Sequence, residues 1–307
     1  MMPTPIRLAT RRSALARVQS QHIADAVAAA TGRTVELVPV STAADDSSAP
    51  ISSFGSTGVF VAAVRTAVLT GVADVAVHSL KDLPTAPADG LRSFIPVRED
   101  ARDALCARDG HTLATLPEGA VVATGSPRRV AQVRARRPDL SLVGLRGNVD
   151  TRLTRVADGT ADAVVLAVAG LRRLGRAGAI TDVLPVDVST PAPGQGALAV
   201  ECRSDLADTD LLAALHGLED PGTRAAVTAE RRLLAMLEAG CTAPVGAYAR
   251  VHGTEISMTA VVADISGDPV VRMSDNGSIG APDRLGDTLA GRLLAEGATG
   301  LLGERIL

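Results

Sequence analysis

The sequence predicts an α/β protein that ends in a smaller α+β module, and two observations lead to this fold class. Short apolar runs alternate with segments of helical periodicity over residues 6–202, which is typical of strands and helices that build a doubly wound parallel sheet. The C-terminal part instead combines two helical segments with three apolar runs that favour antiparallel strands. A chain of 307 residues is long enough for two or three domains.

The first series of elements precedes Pro96. Ser13 fits the N-cap position of its first helix, because a serine oxygen can accept a hydrogen bond from a free N–H of the first turn. The β-α-β-α-β order predicts a parallel sheet with right-handed crossovers. Strands are predicted at 6–10, 34–40 and 74–77, and helices at 13–30 and 59–70.

The pattern begins again after Pro96 and leads into the C-terminal module. Strands are predicted at 104–107, 121–123, 142–145, 163–167 and 197–202, and helices at 127–136, 149–157 and 168–174. Residues 185–193 are rich in proline and are predicted to be irregular. The module is predicted to contain a helix at 223–238, strands at 245–251, 256–263 and 270–273, and a helix at 282–296.

Composition and charge argue against several classes of protein. Aromatic residues make up 1% of the chain, which leaves few platforms for base stacking, and a net charge of −3 gives no overall field that attracts nucleic acid. No apolar stretch reaches the ~18 residues that span a bilayer, and the first residues lack the apolar core of a secretory signal. Three widely spaced cysteines form neither a disulfide framework nor a zinc site. We therefore expect a cytoplasmic protein with no metal, no membrane contact and no nucleic-acid partner.

Lys81 is the single lysine among the 31 basic residues, and it lies directly before Asp82 where a predicted strand ends. Ligands bind at strand ends in open α/β sheets, and an ammonium is a compact point charge that arginine does not reproduce. Asp82 should stay ionised beside Lys81, which suits a cationic reaction centre or an N–H donor. The alternative is that Asp82 only opens the turn before Pro84. His78, at the end of the same strand, is ambiguous.

Arginines follow the other predicted strand ends. Ser126 and Pro127 fit the N-cap and the first position of a helix, whose N-terminus favours an anion. Bidentate pairing with guanidinium suits carboxylates or phosphates, and the sequence has no Gly-x-x-x-x-Gly-Lys loop for a nucleoside triphosphate. The arginines assigned to an anion cleft, rather than to solvated surface, are Arg11, Arg128, Arg129, Arg146 and Arg152.

The three cysteines differ in their surroundings. Cys106 and Cys202 lie in apolar strands, which is typical of small buried side chains. Cys241 lies in a loop beside Gly240 and Thr242, so it is the candidate nucleophile or attachment point. Its spacing alone leaves a reactive and a structural interpretation equally open.

Together these segments resemble the porphobilinogen deaminase family. The matching segments keep the family's order and spacing over nearly the whole chain, at 6–11, 76–82, 126–129, 145–148, 166–171, 194–197, 229–231 and 238–246. The resemblance implies two doubly wound α/β lobes, similar to type II periplasmic binding proteins, and a small α+β C-terminal domain. The crossing segments between the lobes would lie near 97–102 and 191–197.

The resemblance also implies where each domain begins and ends. Residues 1–98 and 194–217 would form the first lobe, which is discontinuous, takes back the strand at 198–202 and carries the catalytic aspartate. Residues 99–193 would form the second lobe, with the arginines that bind the cofactor. Residues 218–307 would form the C-terminal domain, with the cysteine that holds the cofactor.

The activity implied is that of a transferase in tetrapyrrole and haem synthesis. Such enzymes join four porphobilinogen molecules head to tail, with loss of ammonia, onto a dipyrromethane cofactor, and release hydroxymethylbilane by hydrolysis. Cys241 matches the cysteine that holds the cofactor by a thioether, and Asp82 matches the catalytic aspartate, whose fixed carboxylate stabilises cationic intermediates. Each pyrrole carries an acetate and a propionate, which explains the demand for cations. The residues implied in cofactor or substrate binding are Arg11, Ser13, Lys81, Ser126, Arg128, Arg129, Arg146, Arg152, Arg173 and Gln195.

Three departures from the family pattern concern loops. Thr57 stands where the family's active-site loop carries a lysine, Thr-Ala-Ala-Asp occupies 42–45 in place of Thr-x-Gly-Asp, and Gly125 replaces the first of two serines. The first two lie in a serine-rich loop that we expect to act as a mobile lid, so they bear on turnover and not on the reaction.

Two rival functions have to be separated from the transferase. One is a non-catalytic two-lobed protein that binds polycarboxylates, and the other is a Schiff-base lyase or aldolase with Lys81 as nucleophile. We expect a monomer that makes at most transient contact with the next enzyme of the pathway.

Overall fold

The structure is a computed structural model, and it describes residues 4–40, 58–239 and 243–302. Contacts divide the chain into two compact units, Met1–Arg98 with Ala197–Arg224, and Glu99–Gly196 with Ala225–Leu307. We call the first unit lobe 1, the first part of the second unit lobe 2, and the second part the C-terminal module. The division into three domains at the ranges given above stays a prediction.

The elements follow one another in the predicted alternation. The strands are β1 (Ile6–Arg11), β2 (Val35–Val40), β3 (Val75–Ser79), β4 (Leu91–Phe94), β5 (Asp103–Ala107), β6 (Val121–Ala123), β7 (Ser141–Val143), β8 (Ala163–Ala167), β9 (Asp182–Val183), β10 (Leu198–Arg203), β11 (Val245–His252), β12 (Glu255–Ala263) and β13 (Val270–Ser278). The helices are α1 (Ala14–Thr31), α2 (Gly58–Leu69), α3 (Pro127–Arg136), α4 (Val149–Ala157), α5 (Val168–Arg173), α6 (Thr209–Leu218), α7 (Pro221–Met236) and α8 (Pro282–Ala295).

Lobe 1 is built on a five-stranded sheet in the order β2-β1-β3-β10-β4. β1 pairs in parallel with both β2 and β3, whereas β10 runs antiparallel between β3 and β4. One face of the sheet packs its apolar side chains, among them Leu8 and Val200, against Ile23 of α1 and Leu215 of α6. Ser13 caps α1 as predicted, and Gly32 ends the helix in the left-handed region that glycine adopts without strain.

Lobe 2 repeats this design with the order β7-β6-β8-β5-β9. β6 pairs in parallel with β7 and β8, and β5 runs antiparallel to β8 and β9. Buried Leu105, Val122 and Val165 pack the sheet against Val133 of α3. The prediction of two α/β lobes followed by an α+β module is therefore confirmed.

The predicted parallel pairing of β1, β2 and β3 is confirmed, and each sheet also contains one antiparallel strand next to its three-stranded parallel part. β10 enters its sheet after the chain has left lobe 2 and runs opposite to β3 and β4, and β5, the first strand of its own sheet, runs opposite to β8 and β9. The sequence analysis also missed β4, β9 and α6. β4 and β9 have only four and two residues, too few to show a period.

The C-terminal module is an antiparallel sheet, β11-β12-β13, packed against two helices. Leu233 of α7 and Leu289 of α8 are fully buried against Ile256 and Met258 of β12. The module also contacts lobe 2 within the second unit, where a Cβ on Gly246 would lie 2.6 Å from the carbonyl oxygen of Thr190. Among the helices that the structure describes, none has the length and apolar character required to cross a membrane.

Candidate active site

The end of β3 places the predicted catalytic residues of lobe 1. A single 3₁₀ turn, Leu80–Asp82, follows Ser79 directly. Leu80 is 4% exposed and its N–H donates to the carbonyl oxygen of Ala197 at 3.0 Å, while the N–H of Leu83 closes the turn onto Leu80 at 3.1 Å. A buried leucine on each side thus fixes the turn, and it presents Lys81 and Asp82 as half-buried side chains.

Arg11 and Ser13 lie at the same edge of this sheet as the 3₁₀ turn. β1 and β3 are parallel neighbours, so their carboxyl ends meet at one edge. Arg11 is the last residue of β1 and is half-buried. Ser13 Oγ accepts a hydrogen bond from the N–H of Ala16 at 3.3 Å. The structure therefore brings these four predicted residues of lobe 1 to a common edge, as the sequence analysis expected.

A buried ion-pair cluster lies behind this edge. Glu201 on β10 is 3% exposed and accepts from Arg65 of α2, with Nε–Oε2 and Nη2–Oε1 distances of 2.8 and 2.7 Å. His78 Nε2 lies 3.3 Å from Glu201 Oε2. Burial raises the pKa of Glu201, but its interactions with His78 and Arg65 outweigh burial and lower the pKa to about 2. His78 therefore lies at ion-pair distance from the Glu201 carboxylate.

The start of α3 places the paired arginines of lobe 2. Ser126 occupies the N-cap position and Pro127 the first helical position, as predicted, but the Ser126 side chain makes no capping hydrogen bond. Arg128 and Arg129 follow and are 4% and 5% exposed. Guanidinium groups so far from water need acceptors or counter-charges.

Asp103, which the sequence analysis did not single out, supplies this counter-charge. Arg128 Nη1 donates to Asp103 Oδ2 at 2.7 Å, and Arg129 donates to Oδ1 from Nε and Nη2 at 3.0 and 2.7 Å. Burial alone would raise the pKa of Asp103, but the charges and hydrogen bonds of both arginines hold it well below its ordinary value. Asp103 opens β5 immediately after a crossing segment, and a carboxylate at the start of an otherwise apolar strand was the signal that could have found it.

Two further predicted arginines of lobe 2 flank α4. Arg146 is exposed in the loop after β7, and Arg152 on α4 donates from Nε to the carbonyl oxygen of Gly147 at 2.8 Å. Burial and the charge of Arg129 lower the pKa of Arg152. Arg129 and Arg152 are therefore close enough to repel each other, and a bound anion would relieve that repulsion.

Gln195 and Arg173 make their described hydrogen bonds to the protein itself. Gln195 is 1% exposed, and its Nε2 donates to Asp103 Oδ1 at 2.8 Å and to the carbonyl oxygen of Ala101 at 2.7 Å. Arg173 Nη2 donates to the carbonyl oxygen of Gly196 at 2.7 Å. Burial lowers the pKa of Arg173, and the negative charge of Glu99 offsets part of this decrease. A direct role of either residue in ligand binding stays a prediction.

The predicted site residues therefore form one set in each unit. Arg11, Ser13, Lys81 and Asp82 belong to lobe 1, and Ser126, Arg128, Arg129, Arg146, Arg152, Arg173 and Gln195 to lobe 2. Cys241 and Thr57, with the loop at 42–57, lie outside the described residues. Cys106 and Cys202 are buried, as expected. In the described part of the chain, no group of three or more His, Cys, Asp or Glu side chains could hold a metal ion.

The fold defines a two-lobed α/β protein with arginines at several strand ends and a C-terminal α+β module. Two family models match the chain: "Porphobilinogen deaminase, dipyromethane cofactor binding domain" over residues 6–211, and "Porphobilinogen deaminase, C-terminal domain" over residues 224–295. The chain belongs to the porphobilinogen deaminase family. It is accordingly an enzyme, a transferase, with a dipyrromethane cofactor-binding domain.

Relatives from several bacteria match this chain over nearly its whole length. Porphobilinogen deaminase 1 of Streptomyces coelicolor is 52% identical over 99% of both chains, and porphobilinogen deaminase of Mycobacteroides abscessus is 53% identical over 97% of this chain and 100% of the relative. The enzyme of Thermobifida fusca is 50% identical over 99% of this chain and 98% of its own. Similar solved structures include a periplasmic substrate-binding protein of an ABC transporter from Coxiella burnetii, 14% identical with a TM-score of 0.43, covering 72% of this chain and 94% of that one.

Proposed function

We propose that this chain joins four porphobilinogen molecules head to tail, with loss of ammonia at each addition, onto a covalently held dipyrromethane, and releases hydroxymethylbilane by hydrolysis. The observation that carries the proposal is the 3₁₀ turn after β3, which presents Asp82 beside Lys81 at the edge where Arg11 ends β1. A carboxylate held among cations is what a substrate with both carboxylate side chains and a cationic transition state requires.

Asp82 is the catalytic residue in this proposal. The pyrrole ring of the substrate becomes positively charged when ammonia leaves, and again when the neighbouring ring attacks. A carboxylate held by a fixed turn stabilises both charges without reorganising, and it can accept a hydrogen bond from the pyrrole N–H. Lys81 and Arg11 would bind the acetate and propionate groups, since ammonium and guanidinium both form charge-assisted hydrogen bonds with carboxylates.

The residues of lobe 2 fit a dipyrromethane by their charge. Two buried arginines share one carboxylate, Arg152 adds a further positive charge, and the hydroxyl of Ser126 is not used to cap α3. Such a cluster suits a group with several carboxylate side chains. When bound, the dipyrromethane supplies the pyrrole carbon to which the first substrate is joined. Cys241 would hold it by a thioether, as the family pattern implies.

Partners and location complete the proposal. We propose that the enzyme takes porphobilinogen as substrate, acts as a monomer in the cytoplasm, and contacts the next enzyme of the pathway transiently at most. A protein that only binds polycarboxylates would bind the substrate without releasing ammonia. A Schiff-base enzyme would form a borohydride-reducible adduct on Lys81.

The test compares Asp82→Asn with Asp89→Asn, a matched change of an exposed carboxylate in the same lobe. Asp82→Asn should lower kcat by about a hundredfold or more, because a charge aimed at the transition state is lost, while Asp89→Asn should leave it unchanged. Porphobilinogen consumption measures both. Near-normal turnover of Asp82→Asn would remove Asp82 from the mechanism.

A second test addresses the cofactor. Cys241→Ser should yield a chain whose intact mass lacks the dipyrromethane and which gives no colour with a pyrrole reagent. Cys202→Ala, a change of a buried cysteine, should keep both signals. A dipyrromethane adduct that survives on Cys241→Ser would place the attachment elsewhere.

A further inference from the structure

Asp103 is the centre of a buried hydrogen-bond cluster. It is 0% exposed, and besides the two arginines it accepts from Ser189 Oγ at 2.8 Å and from Gln195 Nε2 at 2.8 Å. Arg128, Arg129, Ser189 and Gln195 are themselves at most 5% exposed. A carboxylate with this many donors has one position available to it, so it fixes the groups that bind it.

The charge of the cluster is unbalanced. One carboxylate faces two guanidinium groups, which leaves an excess of one positive charge in a region with little water. Without the carboxylate the two buried guanidinium groups would repel each other strongly. Asp103 therefore allows Arg128 and Arg129 to lie side by side and still leaves positive charge for a ligand.

The arginines keep donors for that ligand. A guanidinium has five N–H donors. Arg128 makes three described hydrogen bonds, to both oxygens of Asp103 and to the carbonyl oxygen of Thr190 at 2.6 Å, and Arg129 also makes three, of which one goes to the carbonyl oxygen of Val165 at 2.9 Å. Each arginine is thus anchored by part of its donors, and the rest can meet ligand carboxylates.

The C-terminal module reaches the same cluster. Arg272 on β13 donates to Thr190 Oγ1 and, at 3.2 Å, to Gln132 Oε1. Gln132 in turn binds both the N–H and the carbonyl oxygen of Thr190, at 2.7 and 3.1 Å. Because that carbonyl also accepts from Arg128, the placement of Arg128 depends on Arg272 through Thr190.

We infer that Asp103 is a positioning residue for the dipyrromethane, which holds Arg128 and Arg129 in place to receive its carboxylates, and that Arg272 supports this arrangement from the C-terminal module. The inference rests on the proposed function, since it names what the arginine pair receives. Neither Asp103 nor Arg272 needs to touch the dipyrromethane for this effect.

The experiment measures dipyrromethane occupancy, by intact mass and pyrrole colour, on full-length Asp103→Asn purified beside Leu105→Ala. Leu105 lies on the same strand and is fully buried, so its truncation leaves a cavity and lowers the Tm without touching the arginines. Misplaced arginines should lower the occupancy of Asp103→Asn about tenfold, or raise the KM of its loaded fraction about tenfold at similar kcat. Leu105→Ala should keep wild-type occupancy and KM despite its lower Tm.

Two less disruptive variants test the same inference if Asp103→Asn does not fold. Arg272→Gln and Ser189→Ala each remove one support of the cluster and should raise the KM about threefold with kcat unchanged. Asp162→Asn, which removes an aspartate that pairs with Arg108 elsewhere in lobe 2, should change neither constant.

Three results would overturn the inference: full occupancy with an unchanged KM in Asp103→Asn, the same losses in Leu105→Ala, or, where Asp103→Asn does not fold, unchanged constants in Arg272→Gln and Ser189→Ala. Absence of dipyrromethane from the wild-type chain would instead refute the proposed function itself. The two failures are therefore distinguishable.

Discussion

The two lobes share one sheet design, yet they use their buried carboxylates differently. Each sheet has the same strand order, with an antiparallel fourth strand that carries one buried acid: Glu201 on β10 in lobe 1, Asp103 on β5 in lobe 2. Glu201 binds one arginine and one histidine, whereas Asp103 binds two arginines.

The register explains the difference. Asp103 lies opposite Ala167, the last residue of β8, and therefore at the carboxyl edge of the parallel strands. Glu201 lies opposite Ala76, the second residue of β3, which places it about 10 Å from the corresponding edge of its own sheet. At the carboxyl edge of the sheet, Asp103 can position arginines that bind a ligand. Glu201 lies farther from that edge and instead connects β10 to α2 through Arg65.

The largest expected effect tests whether Glu201 serves the stability of lobe 1 and not ligand binding. Glu201→Gln should lower the free energy of unfolding by about 3 kcal/mol, because the partly buried guanidinium of Arg65 loses its counter-charge. Dipyrromethane occupancy of the folded fraction should stay at the wild-type level. Urea unfolding and intact mass measure the two quantities. Loss of occupancy at full stability would mean that Glu201, like Asp103, serves the ligand.

The pH dependence of stability sharpens the same comparison. The pKa of Glu201 is lowered from an ordinary value of 4.5 to about 2, so its ionised form stabilises the folded chain fully above pH 4.5 and loses this contribution as the pH falls through 2. The contribution is ~3 kcal/mol. The stability difference between wild type and Glu201→Gln should shrink by this amount between pH 6 and pH 2, as measured by denaturant unfolding at each pH. A constant difference would contradict the cause given for the pKa.

The smallest expected effect compares the serines that begin the first helix of each lobe. Ser13 caps α1 through its side chain, whereas Ser126 makes no capping hydrogen bond at the start of α3. Ser13→Ala should therefore cost ~1 kcal/mol of stability, and Ser126→Ala less than ~0.5 kcal/mol. Ser126→Ala should instead raise the KM for porphobilinogen. An equal loss of stability in both variants would give Ser126 a capping role.

Local features of the sequence predicted the starts of the helices and most strand ends well, but β13 runs to Ser278 and not to 273 as predicted. Ser126 and Pro127 mark the start of α3 because N-cap and first-turn preferences depend on neighbouring residues only. Lys81 and Asp82 were placed correctly for the same reason, since the apolar run before them ends visibly. Short elements such as β4 were missed because a strand of four residues has no measurable period.

Contacts between distant segments could not be predicted in this way. Asp103 is 25 residues from Arg128, 86 from Ser189 and 92 from Gln195, and nothing near Asp103 in sequence indicates that these groups converge on it. The antiparallel direction of β5 and β10 was missed for a related reason, because direction depends on which end of the sheet the chain enters. Matching to a family supplied the assignment of the strand at 198–202 to the first lobe, which the residues alone did not.

The position of β10 has a consequence for synthesis of the chain. β10 lies between β3 and β4, although the whole of lobe 2 separates it from β4 along the chain. At a synthesis rate of ~5–20 residues per second, β10 is made on the order of 10 s after β4. During this interval β3 and β4 lack the strand that pairs with both of them. Lobe 2 completes its sheet within that time from contiguous sequence, while lobe 1 presents two unpaired strand edges. Glu201 arrives on β10, so Arg65 and His78 meet their partner only when this last strand is inserted.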